Sequence, residues 1–158
     1  MANKILDLFQ TSTAFTITLA SLASSTVGVG QQSTMLANSS GREQMARVWI
    51  KLTQGTSPTG NRSAYIYLLT GDVDASTPHR TDAAGASDAG LTVLNAPLIG
   101  VVRNKAAPAT NDIIYGEFLV RIAAPTWGIA IVHDTGVNLN STGGNHYARY
   151  TYISPEVQ

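Results

Sequence analysis

Apolar side chains recur at every second residue along most of this chain, and that period limits the fold more than any other feature. In "QMARVWIKLTQ", residues 44–54, Ala46, Val48, Ile50 and Leu52 share one face, and Met45, Arg47, Trp49 and Lys51 share the other. Similar segments lie near 62–70, 112–122, 126–133 and 146–153, with shorter ones at 33–37, 92–102 and 137–140. The turn signals "GTSPTGN", "NKAAPATND", "HDTG" and "STGGN" separate them. No long segment carries a 3.6-residue apolar stripe. β-Branched and aromatic residues fill the segments, as a half-buried pleated surface favours.

At 158 residues the chain fits one domain able to bury a core. No linker or internal repeat divides it. About eight strands with regular turns predict an all-β sandwich, for which the jelly roll is a natural eight-strand form. The long irregular stretch 71–90, "GDVDASTPHRTDAAGASDAG", reads as an exposed loop with contact potential.

The N-terminal stretch predicts a separate arm over residues 1–12, with one helical turn over 3–9, ahead of the domain at 13–158. Asp7 and Gln10 interrupt the apolar run, which argues against a secretory signal. Ile5, Leu6, Leu8 and Phe9 surround the single acid Asp7, so the arm is expected to dock on a neighbour. A strand follows, with Phe15, Ile17 and Leu19 on one side and Thr16 and Thr18 on the other.

Residues 44–70 read as two strands joined by the loop "GTSPTGN". If Leu52 and Arg62 flank that loop, Ile50 pairs with Ala64, Val48 with Ile66 and Ala46 with Leu68. The opposite face then groups Trp49 with Tyr65 and Arg47 with Tyr67, flanked by Lys51. Aromatic cross-strand pairs contribute only roughly 0.2–1 kcal/mol each, which leaves such a patch in want of a cover. Three covers compete: another part of the chain, a protein partner drawn to Trp, Tyr and Arg, or a sugar stacked on the rings.

Composition narrows the functional classes. Ten Lys+Arg balance ten Asp+Glu, which argues against a nucleic-acid binder built on a basic surface and against a polybasic membrane anchor. Only 13% of residues are charged, against about 25% in an average soluble domain, as expected where surface is hidden against other chains. With no cysteine there is no disulfide framework and no thiolate metal site. His79, His133 and His146 are far apart in sequence, with no third ligand or nucleophile signature beside them. Asp134, in the Asp-Thr-Gly turn, reads as a turn-forming carboxylate. "GDVDAST" lacks the glycine and distal glutamate of a calcium loop. No cofactor and no catalytic residue is expected.

The order of "LTQGTSPTGNRSAYIYLLTGD", "APLIGVV", "GEFLVRI" and "APTWGIAIVHDTGVNLNSTGGNHYARYTYI" resembles small jelly-roll decoration (cement) proteins and related structural virion proteins of tailed bacteriophages. The likeness covers roughly residues 40–155 and rests on turn chemistry: Pro125, Trp127 and Gly128 before a strand, Asp134-Thr135-Gly136 after it, and Gly143-Gly144-Asn145 before the last strand. It implies a self-associating block, often trimeric, that docks on the major capsid protein or another virion protein. Such a block is assembled in the host bacterial cytoplasm. The competing reading is a carbohydrate-binding or host-recognition module of a phage particle. Trp127 shares its parity with Ile129 and Ile131 and is expected in the core.

Overall fold

The computed structural model describes residues 5–38, 43–73 and 78–157, with side chains for 8–154 within those ranges. Among these residues eleven strands appear: β1 (Ile5–Phe9), β2 (Thr13–Ala14), β3 (Val29–Gln32), β4 (Leu36–Ala37), β5 (Met45–Thr53), β6 (Ser63–Gly71), β7 (Ala89–Thr92), β8 (Leu98–Arg103), β9 (Ile113–Arg121), β10 (Thr126–His133) and β11 (Tyr147–Val157). Among the described residues the helical pieces are two 3-10 turns, Thr81–Ala83 and Gly143–Asn145. The protein is an all-β sandwich.

One sheet runs β1-β11-β5-β9 with β2 also beside β11, and the second runs β7-β3-β10-β6-β8 with β4 beside β10. The pairing is nested. β1 and β2 pair with β11, β3 with β10, β5 with β9 and β6 with β8, all antiparallel. The chain is thus a long hairpin rolled into two layers, and β11–β5 and β10–β6 pairing knits the roll together.

The core lies between the layers. Ala46, Val48, Ile50 and Leu52 from the first sheet are buried there with Ala64, Ile66 and Leu68 from the second. Trp127 is fully buried, as its parity predicts, and meets Phe15 and Tyr150 edge-on at 5.3 and 5.4 Å. Its indole N–H donates to the Tyr152 hydroxyl at 3.1 Å, so the ring's one polar atom is satisfied.

The expected hairpin between residues 44–53 and 62–70 does not form. β5 pairs with β11 and β9, whereas β6 pairs with β10 and β8, so the loop between them crosses from one sheet to the other. Other loops hold that crossing in place. Thr59 N–H donates to the Thr135 carbonyl at 2.9 Å, and Asn61 N–H donates to the Lys105 carbonyl at 3.2 Å. A Cβ at Gly60 would lie 1.8 Å from the Ala106 carbonyl oxygen, so the two loops meet only because residue 60 has no side chain. Asn104, buried alongside, donates to the Gln54 side-chain oxygen and the Thr59 carbonyl, both at 2.7 Å, and accepts from Arg62 N–H at 2.8 Å.

Residues 5–9 form an edge strand and not a helical turn, in register from Ile5 opposite Val157 to Phe9 opposite Ile153. Past β2, residues 15–19 keep the expected alternation, with Phe15 and Leu19 buried and Thr16 and Thr18 exposed, but they join no ladder. The 71–90 stretch also departs from a free loop. Ala84 and Ala96 are buried against Leu69 and Ala130, with Met35, Tyr67, Leu91 and Val93 packed around them. This cap covers the middle of the second sheet's outer face, over β10, which is therefore buried on both sides, while Leu98 and Val101 of β8 stay about half exposed. The carboxylate of Asp82 holds the cap's turn by accepting from Asn95 N–H at 2.8 Å and Ala96 N–H at 2.9 Å.

Candidate interaction surface

The outer face of the first sheet carries no comparable cap among the described residues. Strand register builds its rows. Lys51 lies between Tyr147 and Tyr115, Trp49 between Arg149 and Glu117, Arg47 between Thr151 and Leu119, and Met45 between Ile153 and Arg121. Phe9 extends the last row from β1, opposite Ile153. Tyr115 is 61% exposed and Leu119 57%, unusual for large apolar side chains at regular strand positions.

Cations and rings interleave here. The Arg47 guanidinium stands 5.4 Å from the centre of the Phe9 ring, and Arg149 and Lys51 lie 5.8 and 6.0 Å from that of Tyr147. These distances fall within the range of cation–π attraction. Arg47 also reaches diagonally to Glu117 at 3.0 Å, an exposed pair contributing about 0–1 kcal/mol. Arg47, Lys51, Arg121 and Arg149 face a single carboxylate, Glu117, on strands β5, β9 and β11 within the described side chains. A shallow depression of about 350 Å³ lies between Ser12, Trp49, Tyr147 and Arg149.

The structure therefore brings together Arg47, Trp49, Lys51 and Phe9 of the residues singled out from sequence. Tyr65 and Tyr67 are not with them. They point outward from β6, on the opposite side of the sandwich, with Tyr65 opposite Val101 and Val132. Tyr67 is half-buried beneath the cap, and burial, with Tyr65 nearby, raises its phenol pKa. Leu8 is half-exposed on the β1 edge, while the side chains of Ile5 and Leu6 lie outside those described. Tyr115, Leu119, Tyr147 and Arg149 were not anticipated. Their parity was readable within segments 112–122 and 146–153, but not the adjacency of those segments to β5.

The histidines have structural surroundings. His133 is buried, its Nε2 at 3.0 Å from the Leu22 carbonyl and its Nδ1 at 3.0 Å from the Thr135 hydroxyl. Burial lowers its pKa. Asp134 accepts from Ser63 N–H at 2.7 Å and stands 3.8 Å from Arg62, so its carboxylate fastens the end of β10 to the start of β6. His79 pairs with Asp72 at 3.2 Å on the surface. No group of three or more His, Cys, Asp or Glu able to hold a metal ion occurs among the described residues.

No family model, no curated protein and no solved structure matches this chain.

Proposed function

We propose that this protein works through its surfaces, as a structural virion protein of a tailed bacteriophage, in the manner of a capsid decoration protein. The nested pairing, β1 and β2 with β11, β3 with β10, β5 with β9 and β6 with β8, supports reading the sandwich as a jelly roll. That agrees with the fold that the resemblance implies. The observation that carries the proposal is the contrast between the two outer faces. The second sheet is capped over β10 by its own chain, while the first presents Trp49, Tyr115 and Tyr147 among arginines, the residue types of interface hot spots, with Leu119 exposed beside them. In this reading the face contacts the major capsid protein or neighbouring subunits, and the protein resides in the virion. The test is mass spectrometry of purified particles together with co-sedimentation of the purified chain with particles that lack it. Absence from particles and failure to co-sediment would end the proposal.

The depression between Trp49, Tyr147, Arg149 and Ser12 favours one alternative, a carbohydrate-binding or host-recognition module. There a sugar ring would stack on Trp49, with Arg149 and Ser12 as hydrogen-bonding partners. A glycan array read with wild type and Trp49→Ala separates the two. Binding to a defined glycan that the variant loses would favour the module.

A further inference from the structure

Charge is unevenly placed among the described side chains of this neutral chain. Among the described side chains of β5, β9 and β11, Arg47, Lys51, Arg121 and Arg149 outnumber Glu117 across the outer face of the first sheet. In the segment that leads into and forms the cap of the second sheet, Asp72, Asp82 and Asp88 outnumber Arg80 among the described residues. The most exposed large apolar residue described is Leu94, at 79%, in the cap's turn. That turn is rigid for a surface loop. Its next two backbone N–H groups are held by Asp82, and Ala96 is buried against the sheet. Opposite in character is the depression of about 350 Å³ lined by Trp49, Tyr147, Arg149 and Ser12, apolar in its walls and cationic at its rim.

We infer that the occupant of the first sheet's outer face is the cap of a second copy of this chain, with Leu94 seated against Trp49 and Tyr147 and Asp82 near Arg149. This rests on the proposed function and names the partner of its contact face. The contact joins two different surfaces, so it is head-to-tail and propagates from copy to copy into a closed ring or an open chain. The opposite charge of the two surfaces sets its direction. Two copies of the cationic face repel each other, and so do two acidic caps, whereas one of each attracts.

Two substitutions at exposed positions test it, one on each surface, neither in the core. Leu94→Glu places a charge on the cap, and Arg149→Glu reverses one on the sheet face. Sedimentation equilibrium of the full chain should show wild type associating with concentration and less so in 0.5 M salt (~4 Å screening length). Each variant alone should sediment as a monomer with a melting temperature close to wild type. An equimolar mixture of the two should form dimers and nothing larger. The intact sheet face of Leu94→Glu accepts the intact cap of Arg149→Glu, and the two remaining surfaces are disabled. A mixture that stays monomeric while wild type associates would overturn the inference. So would a wild type that is monomeric at every concentration, or either variant assembling as wild type does. A wild type that stays monomeric yet enters particles removes the self-contact and leaves the virion role standing. One that associates as expected but is absent from particles removes the virion role alone.

Discussion

The backbone N–H of Thr53 donates to Nδ1 of His146 at 3.2 Å, while Nε2 of the same ring, 2.8 Å from the Asn140 carbonyl, must carry the proton and donate to it. A fixed donor thus points at one ring nitrogen, and a second proton has no place there. Burial lowers the His146 pKa further. His133 is also lowered by burial, although its geometry would accept a proton, since Nδ1–H could donate to Thr135 and Thr135 in turn to the Val137 carbonyl.

Stability is therefore expected to fall on mild acidification. A histidine with a depressed folded pKa contributes fully above its unfolded value, about 6.5, because both states are then neutral. Below that value the unfolded chain takes up protons first, and stability drops until the folded pKa is passed. Asp112 does not confuse the window. Its carboxylate, hydrogen-bonded by Lys105 and by Ala109 N–H, is held below its ordinary value of 3.8 and titrates only in stronger acid. Urea unfolding at intervals from pH 8 to 4.5 should show a decline that begins near pH 6.5, with a shallower slope in His146→Gln. A flat profile over that range would contradict it.

Asn104 supports a second prediction, this time about the loop that separates β5 from β6. Asn104→Ala leaves Arg62 N–H and the Gln54 side-chain oxygen without their partner. The Gln54 oxygen is buried, and a buried orphan costs about 1–3 kcal/mol, so the variant should lose about that much in urea, more than an exposed asparagine such as Asn95. An unchanged midpoint would mean that the crossing loop is held by its backbone bonds alone.

Gly100 and Phe118 close the open side of the sandwich, one from β8 and one from β9. A Cβ at Gly100 would lie 1.9 Å from the Phe118 ring, and one at Gly116 would lie 2.9 Å from it. Gly100→Ala should cost about 1–3 kcal/mol by overpacking. Phe118→Ala removes the obstacle, so the double variant should be more stable than the sum of the two single losses. Strict additivity would show that the ring already has somewhere to move.

How much of this was legible in the sequence follows from what a period of two can encode. It reports which side of a strand is buried, and that reading held for Ala46 through Leu52 and for Ala64 through Leu68. It does not report which sheet the strand joins. Two consecutive strands show the same parity whether they pair as a hairpin or face each other across a core, and here they face each other. Parity therefore gives the face of β5 on which Trp49 lies but not its neighbours across the sheet. Tyr65 and Tyr67 belong to the other sheet, and Tyr115, Tyr147 and Arg149 take their place through pairings spanning roughly 65 to 100 residues. β3, "VGQQ", carries no period-two apolar signal, because its buried residue after Gly30, Gln32, is polar. Gln32 is buried by bonding to the cap at Gly85 and Ser87, a partner visible only once the cap is folded.

Two tryptophans give the last prediction. Trp127 is fully enclosed with its N–H satisfied, while Trp49 lies half-buried on an outer face beside Arg149 and Glu117. Trp127→Ala should cost about 3–5 kcal/mol of stability, the penalty of emptying a packed core site. Trp49→Ala removes a ring that packs mainly against strand neighbours, so its folding loss should be far smaller. Its effect should appear in association. A hot-spot tryptophan at an interface carries ~2 kcal/mol or more, about a thirtyfold weaker contact. Thermal melts and sedimentation of both variants give four numbers that must fall in this crossed pattern. If Trp49→Ala lowers the melting temperature as far as Trp127→Ala and leaves association unchanged, the outer face of the first sheet is ordinary surface and its aromatic residues serve the fold.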